Sequence, residues 1–355
     1  MKKISGLLSI LIPFFMQAQD PYTIRGELGM ATRGKIILHS YNIATGKHDD
    51  SADNVDGRFV FKGTTTDKTQ LGQLLFLTDN TEKSVVFYLE PGTIHIQYAA
   101  GAEYAKLSGT PANNDLQVYN EMLYTFLDSI NATRQGQQKY TWYSKEIMGG
   151  KIGVIRKFVE KHPRSQVSVD QLNQYAIGNK MPDVLDPIYA KLSPQLQKSP
   201  AGVELGLRIK GMRSADVGDN APMFTLPDTS GHKVSLADFK GKYILIDFWA
   251  TWCGPCMAEM PNVKKAYDQY KDKGFGIIGV SLDRPDSQEL WKKVISRDQL
   301  AWTQVSDLKW WNSKAALAYN VNSVPANFLV DPQGKIIAKN LRGEALQKKL
   351  GELFQ

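Results

Sequence analysis

Residues 242–261, KYILIDFWATWCGPCMAEMP, join a long apolar run to two closely spaced cysteines. The run KYILIDFWA is almost continuously apolar, as expected of a central strand buried on both faces. The stretch after it, WCGPCMAEMPNVKKAYDQY, has the spacing of a helix, and Cys253 falls where strand gives way to helix. Gly254 and Pro255 suit a first helical turn, where a missing N–H costs nothing. Pro261 removes a backbone donor further on and is expected to bend the helix. A helix N-terminus offers unpaired N–H groups and a partial positive charge. Both favour the thiolate, the attacking form of a cysteine. Cys256 lies one turn along and is expected to be the more buried of the two, placed to attack a mixed disulfide from behind.

These are the only two cysteines in 355 residues. As a staple they would close a very short loop, and the entropic gain from a disulfide needs a long one. A zinc site needs further ligands, and no other cysteine or paired histidine supplies them. A c-type haem needs a histidine after the second cysteine, and Met257 stands there. Thiol redox chemistry is the reading that remains.

Working outward, strands and helices alternate from Val217 to the C-terminus. GFGIIGVSL reads as a strand, SQELWKKVISR as a helix, AWTQVS as a short strand and NSKAALAY as a helix. The hairpin NFLVD–PQGK–IIAKN and a last helix over residues 344–354 complete an α/β sheet with an antiparallel end. The middle of the chain, in segments such as DLQVYNEMLYTFLDSI and KIGVIRKFVEKH, has three- and four-residue apolar spacing. Pro163, Pro182, Pro187, Pro194 and Pro200 fall at expected helix breaks. The front reads as strands (TIRGEL, GKIILHS, GRFVFKG, LGQLLFL, SVVFYL, TIHIQY), which suggests an all-β sandwich or barrel. Its histidines His39, His48 and His95 read as isolated. The expected organisation is a leader over 1–18, a small β domain over 19–109, a helical connector over 110–216 and an α/β redox domain over 217–355. The last segment has a complete pattern and is expected to fold alone.

Lys2 and Lys3, an apolar run from Ile4 to Met16 and Gln17-Ala18 have the layout of a secretory leader cleaved after Ala18. The run is shorter than the roughly 20 apolar residues that span a bilayer. No cysteine stands after the cleavage point to take a lipid. An exported, soluble, unanchored protein is expected. The net charge of +7 comes without a basic run, which argues against a nucleic-acid partner.

GDNAPMFTLPDTSGHKVSLADFKGKYILIDFWATWCGPCMAEMP (218–261) and VPANFLVDPQGKII (324–337) resemble the TlpA/ResA-like branch of the thioredoxin family. The resemblance covers 217–355 and implies a thioredoxin-like fold, with Cys253 as nucleophile and Cys256 as resolving thiol of a redox disulfide. It implies a cis peptide at Val324-Pro325, with the Val324 backbone pairing a substrate strand, and Trp252 beside the nucleophile as a substrate contact. Asp247 matches the buried acid position of thioredoxins, where much of the ResA-like branch has asparagine. Burial raises a carboxyl pKa, so Asp247 is a candidate proton relay for Cys256. Glu259 matches a glutamate that this branch places beside its cysteines. Residues 22–109, with GRFVFKG and LEPGTIHI, resemble a β-rich domain of unknown function that precedes such domains in exported bacterial proteins.

The resemblance implies a periplasmic thiol–disulfide oxidoreductase, with a disulfide-containing protein as substrate and no cofactor or metal. The Gly-Pro dipeptide is that of reducing thioredoxins, near about −270 mV against about −120 mV for a dedicated oxidant. Reduction is therefore the expected direction, a membrane thiol donor is required, and cytochrome c biogenesis is one route by analogy. A homodimer is a possible assembly. Two rivals stand beside this reading. One is a thiol peroxidase of the peroxiredoxin branch, which keeps threonine or serine where this chain has Ala250. The other is a partner-binding protein with the redox domain as its switch.

Overall fold

The computed structural model describes residues 20–29, 32–42, 46–65, 69–78, 81–133 and 145–355, and the expected leader lies outside them. The chain divides into two compact units, one of residues up to Gln117 apart from Asn42–Gly46, and the other of that short stretch with Val118–Gln355.

The first unit holds eight strands: β1 (Asp20–Leu28), β2 (Thr32–Asn42), β3 (Gly46–Asp53), β4 (Arg58–Thr65), β5 (Gln70–Thr78), β6 (Glu82–Leu89), β7 (Gly92–Tyr98) and β8 (Lys106–Ser108). They form two four-stranded sheets, ordered β4-β1-β7-β8 and β3-β2-β5-β6. Period-two alternation points Ile24, Phe59, Phe61, Ile94 and Ile96 inward from one sheet, and Leu74, Phe76, Val85 and Phe87 from the other. Phe76 meets Tyr98 edge-on at 5.8 Å between centroids, joining the two sheets. A Cβ on Gly26 would lie 1.8 Å from the ring of Phe59, its partner on the paired strand β4, so the ring lies over the glycine. Strand β3 (GKHDDSAD) has no apolar alternation and is absent from the sequence reading; it forms because β2 offers it an edge. His39 is not isolated either, since its Nδ1 meets the Asp49 carboxylate.

A long helix, α1 (Pro111–Thr133), leads into α2 (Lys145–Lys161), α3 (Gln166–Ala176), α4 (Pro182–Tyr189), α5 (Pro194–Gln197) and α6 (Pro200–Met212). Ser193 and Ser199 cap α5 and α6, accepting from Leu196 N–H and Gly202 N–H, with a proline next in each helix. Pro187, expected at a break, lies inside α4 instead. Burial of Leu185 and Ile188 on either side carries the helix through it, and the ladder resumes with Ala190 N–H donating to Asp186 C=O.

The rest of the second unit contains the hairpin β9 (Thr225–Pro227) and β10 (Lys233–Ser235). Beyond it lies a five-stranded sheet of β11 (Tyr243–Trp249), β12 (Phe275–Ser281), β13 (Thr303–Val305), β14 (Ala326–Val330) and β15 (Ile336–Lys339). The helices are α7 (Gly254–Tyr270), α8 (Gln288–Arg297), α9 (Lys314–Ala318) and α10 (Gly343–Leu353). The order is β13-β12-β11-β14-β15, with β12 parallel to β11 and β13, and the last two strands antiparallel. This is a thioredoxin-like domain. Along β11, Phe248 faces a cluster with Tyr319 and Phe328, while Asp247 points to the opposite face. Helix α6 is built into this unit. Gly211 lies so close to the end of α9 that a Cβ would sit 2.1 Å from Leu317 O. No helix among the described residues is long and apolar enough to cross a membrane.

Candidate active site

Three chain segments converge at one end of the five-stranded sheet. Strand β11 ends at Trp249 and turns into α7, and β12 runs alongside it to Ser281. Strand β14 runs the other way, pairing Ala326 with Phe248, so its preceding residues arrive at that same end. The turn 250–253, the Leu282-Asp283 segment and the Val324-Pro325 peptide, which is cis, are therefore neighbours by register.

Cys253 is the N-cap of α7, and its sulfur accepts a hydrogen bond from Cys256 N–H at 3.1 Å. Cys253 and Cys256 are joined as a disulfide with Cα atoms 5.2 Å apart. Their exposures are 4% and 2%, so burial hardly separates the two; the helix-cap position does. A sulfur that accepts from a helix N-terminus is held where negative charge is stabilised.

Asp247 is buried among apolar neighbours on β11. Burial first, and the nearby Glu259 second, push its pKa up to about 7, against a smaller opposing pull from Arg342. Glu259 is half-buried, and its two oxygens accept from Gly343 N–H at 2.7 Å and from the Asn262 amide at 3.2 Å. It thus holds the first turn of α10 to α7, besides acting on Asp247. Arg342, just before Gly343, donates to Pro325 C=O at 2.6 Å. Trp252 is 48% exposed beside Cys253, with its indole N–H 3.4 Å from Leu282 C=O. Val324 is half-buried against the core.

The sequence reading missed Asp283. Its buried carboxylate accepts from Thr251 Oγ1 at 2.6 Å, from Thr251 N–H at 3.2 Å and from Ser281 Oγ at 2.7 Å, fixing the turn that carries Cys253. An acidic residue at the carboxyl end of a buried parallel strand is a signal that could have found it. Arg342 in NLRGE carries no such signal; its partner is known only once β14 and α10 are in place.

Residues 217–339 match the AhpC/TSA family, and residues 22–116 match a domain of unknown function, DUF4369. The thiol-disulfide oxidoreductase ResA of Bacillus thuringiensis subsp. konkukian is 35% identical over 140 residues, 39% of this chain and 78% of that protein. The chain belongs to the ResA family of thiol-disulfide oxidoreductases. ResA of Bacillus subtilis is 32% identical over 127 residues, 36% of this chain and 68% of its own length. A solved thioredoxin domain of a thiol-disulfide oxidoreductase from Bacteroides vulgatus is 43% identical, covering 40% of this chain and all of that one, with a TM-score of 0.37. ResA-family chemistry is exchange with disulfide-containing substrates, and it assigns this chain enzymatic thiol–disulfide exchange.

Proposed function

We propose that this chain is a protein-disulfide reductase of the periplasm, exported by its leader and re-reduced by a membrane thiol donor. The observation that carries the reading is the hydrogen bond from Cys256 N–H to Cys253 Sγ at the start of α7. In the reduced protein Cys253 is the thiolate that attacks one sulfur of a substrate disulfide. The Cys253–substrate bond forms, and the departing substrate sulfur leaves as a thiolate that takes up a proton. Asp247 then accepts the proton of Cys256, whose thiolate attacks Cys253 Sγ. The second substrate sulfur departs, the Cys253–Cys256 bond closes, and two electrons have passed to the substrate. A carboxyl that titrates near neutrality suits such a relay, because it can take and return a proton at working pH. Trp252 and the Val324-Pro325 backbone are the substrate contacts.

The experiment is the reduction potential of the Cys253–Cys256 pair, read by equilibration with glutathione. A value near about −270 mV supports reduction, and one near about −120 mV reverses the direction.

A further inference from the structure

Three tryptophans of the second unit are core residues: Trp249, Trp291 and Trp302 are all buried. Three others lie together beside Cys253. Trp252 and Trp311 meet with centroids 5.8 Å apart, Trp310 and Trp311 at 6.1 Å, and Trp252 and Trp310 remain 48% and 38% exposed. Apolar area of this kind is ordinarily buried, and here it is held open by its surroundings. Leu308 and Trp310 both have φ of 53°, the left-handed region that bulky side chains rarely occupy. The loop is held there by several bonds. Asp307 accepts from Lys309 N–H at 3.4 Å and Lys314 N–H at 3.0 Å, and Ser306 Oγ accepts from Leu308 N–H at 3.0 Å. Trp310 N–H reaches Asp283 C=O at 3.3 Å. The Arg284 guanidinium lies 3.9 Å from the centre of the Trp310 ring and fixes its plane. Asp283 therefore anchors both the loop carrying Trp310 and, through Thr251, the turn carrying Cys253.

We propose that Trp252, Trp310 and Trp311 form an aromatic ledge that selects disulfide-bonded polypeptides with an apolar side chain next to the reactive cysteine. The inference rests on the redox reading above and names the substrate class that this site prefers. A substrate disulfide has to reach Cys253, so the substrate chain must pass beside Trp252. The two ring-to-ring steps, 5.8 and 6.1 Å, span at most about 12 Å, the reach of three to four extended residues. Side chains directly flanking the substrate cysteine therefore fall over the rings. Backbone strain maintained by several hydrogen bonds at an exposed surface is a feature of sites rather than of packing.

The test uses the full-length Cys256→Ser protein, which cannot resolve a mixed disulfide. Two disulfide-linked peptides, identical except for leucine or serine after the reactive cysteine, compete as substrates, and the rate of mixed-disulfide formation is measured for each. The leucine peptide is expected to react about 10-fold faster, a ratio in the range one apolar contact supplies. Adding Trp310→Ser or Trp311→Ser is expected to bring the ratio to about 2 or below, while Trp310→Phe keeps most of it. Trp310 is exposed, so its serine variant should keep the fold, and circular dichroism checks this. A ratio near one in the parent, or one that the serine variants leave unchanged, overturns the ledge. A ledge that instead pairs two copies of this chain would show as dimer dissociation in Trp310→Ser with the ratio unchanged, and overturns it too. No mixed disulfide with either peptide removes the nucleophile assignment itself, and the ledge with it.

Discussion

Both units bury apolar cores, but they use their buried polar groups differently. In the front unit Asn113 and Glu90 are buried, and both serve backbone. Asn113 exchanges hydrogen bonds with the Tyr88 peptide at 2.9 and 2.7 Å, and Glu90 accepts from Ala112 N–H at the start of α1. They satisfy main-chain groups that would otherwise be unpaired. In the second unit Asp247 lies on β11 and Asp283 two residues past the end of neighbouring β12, near the turn that carries Cys253. Asp283 holds that turn in place, and Asp247 is a carboxyl whose charge the fold suppresses. Polar burial that closes backbone marks architecture; polar burial gathered at one strand end beside a helix-capping sulfur marks a site.

The sharpest way to break this contrast is at the cysteines. Cys253→Ser is expected to abolish disulfide reduction, and Cys256→Ser to leave a protein that attacks once and stays bound as a mixed disulfide. Labelling the single mutants with a thiol reagent checks the roles; a faster Cys256 would reverse them.

Asp247→Asn comes next. Loss of an acid–base relay typically lowers turnover by about 10²-fold. Stability should move the other way. The carboxyl holds its proton to about pH 7 when folded and releases it near pH 3.9 when unfolded. Between those values the folded state binds more protons, so rising pH lowers stability, and the full penalty is present above about pH 7. At about 1.4 kcal/mol per pKa unit, Asp247→Asn should gain on the order of 4 kcal/mol at pH 8 and little at pH 4, both in the oxidised form. Urea unfolding at the two pH values reads this, and equal gains at both would remove the buried charge as the cause.

The α/β fold was legible because its signals are local. A continuous apolar strand, a helix start with two cysteines and a hairpin with PQGK each identify themselves without knowledge of the rest. Cys253, Cys256 and Asp247 could be named for the same reason. Asp283 carried a weaker signal, an acid just past the carboxyl end of a strand, and Arg342 and the tryptophan loop carried none, since their partners lie about 17 to 60 residues away and meet only across the sheet end. Strand β3 escaped because an edge strand rich in Asp, His and Lys has the composition of a loop. The close docking of α6 escaped because a glycine inside a helix looks like a weakness until the neighbouring chain is placed against it.

That docking gives a smaller effect. Gly211→Ala would put a methyl against the Leu317 and Ala318 carbonyl oxygens, at 2.1 and 2.8 Å, which are backbone and cannot swing aside. Buried Arg208 lies on the same helix, with one guanidinium nitrogen 3.6 Å from Glu204 and another donating to Asn322 at 3.2 Å, two residues before Val324. Gly211→Ala is expected to destabilise the second unit by about 1–3 kcal/mol and to slow peptide reduction several-fold, through movement of the 320–325 segment. Tryptophan fluorescence during urea unfolding measures the first effect. An unchanged midpoint would mean that α6 is dispensable, and that the 217–355 segment stands alone as its sequence pattern suggests.

The smallest expected effect on chemistry is the most informative about the front unit. Phe61 is buried in the sandwich and meets Phe59 edge-on at 6.0 Å. Phe61→Ala removes a large buried ring and should cost that unit about 3–5 kcal/mol, through lost burial and the cavity left behind. Nothing in the front unit contributes a cysteine, and its buried carboxylate is already committed to the start of α1. Reduction of a small disulfide by the full-length variant should therefore match the parent within about twofold even where the sandwich core is loosened. Limited proteolysis would show that loosening as faster cleavage within residues 20–110. If small-disulfide turnover falls in step with the proteolysis, the sandwich shapes the active site, and the division between architecture and chemistry drawn from the buried polar groups is wrong. If only reduction of a folded protein falls, the sandwich contributes to partner capture while the sulfur chemistry stays with Cys253 and Cys256.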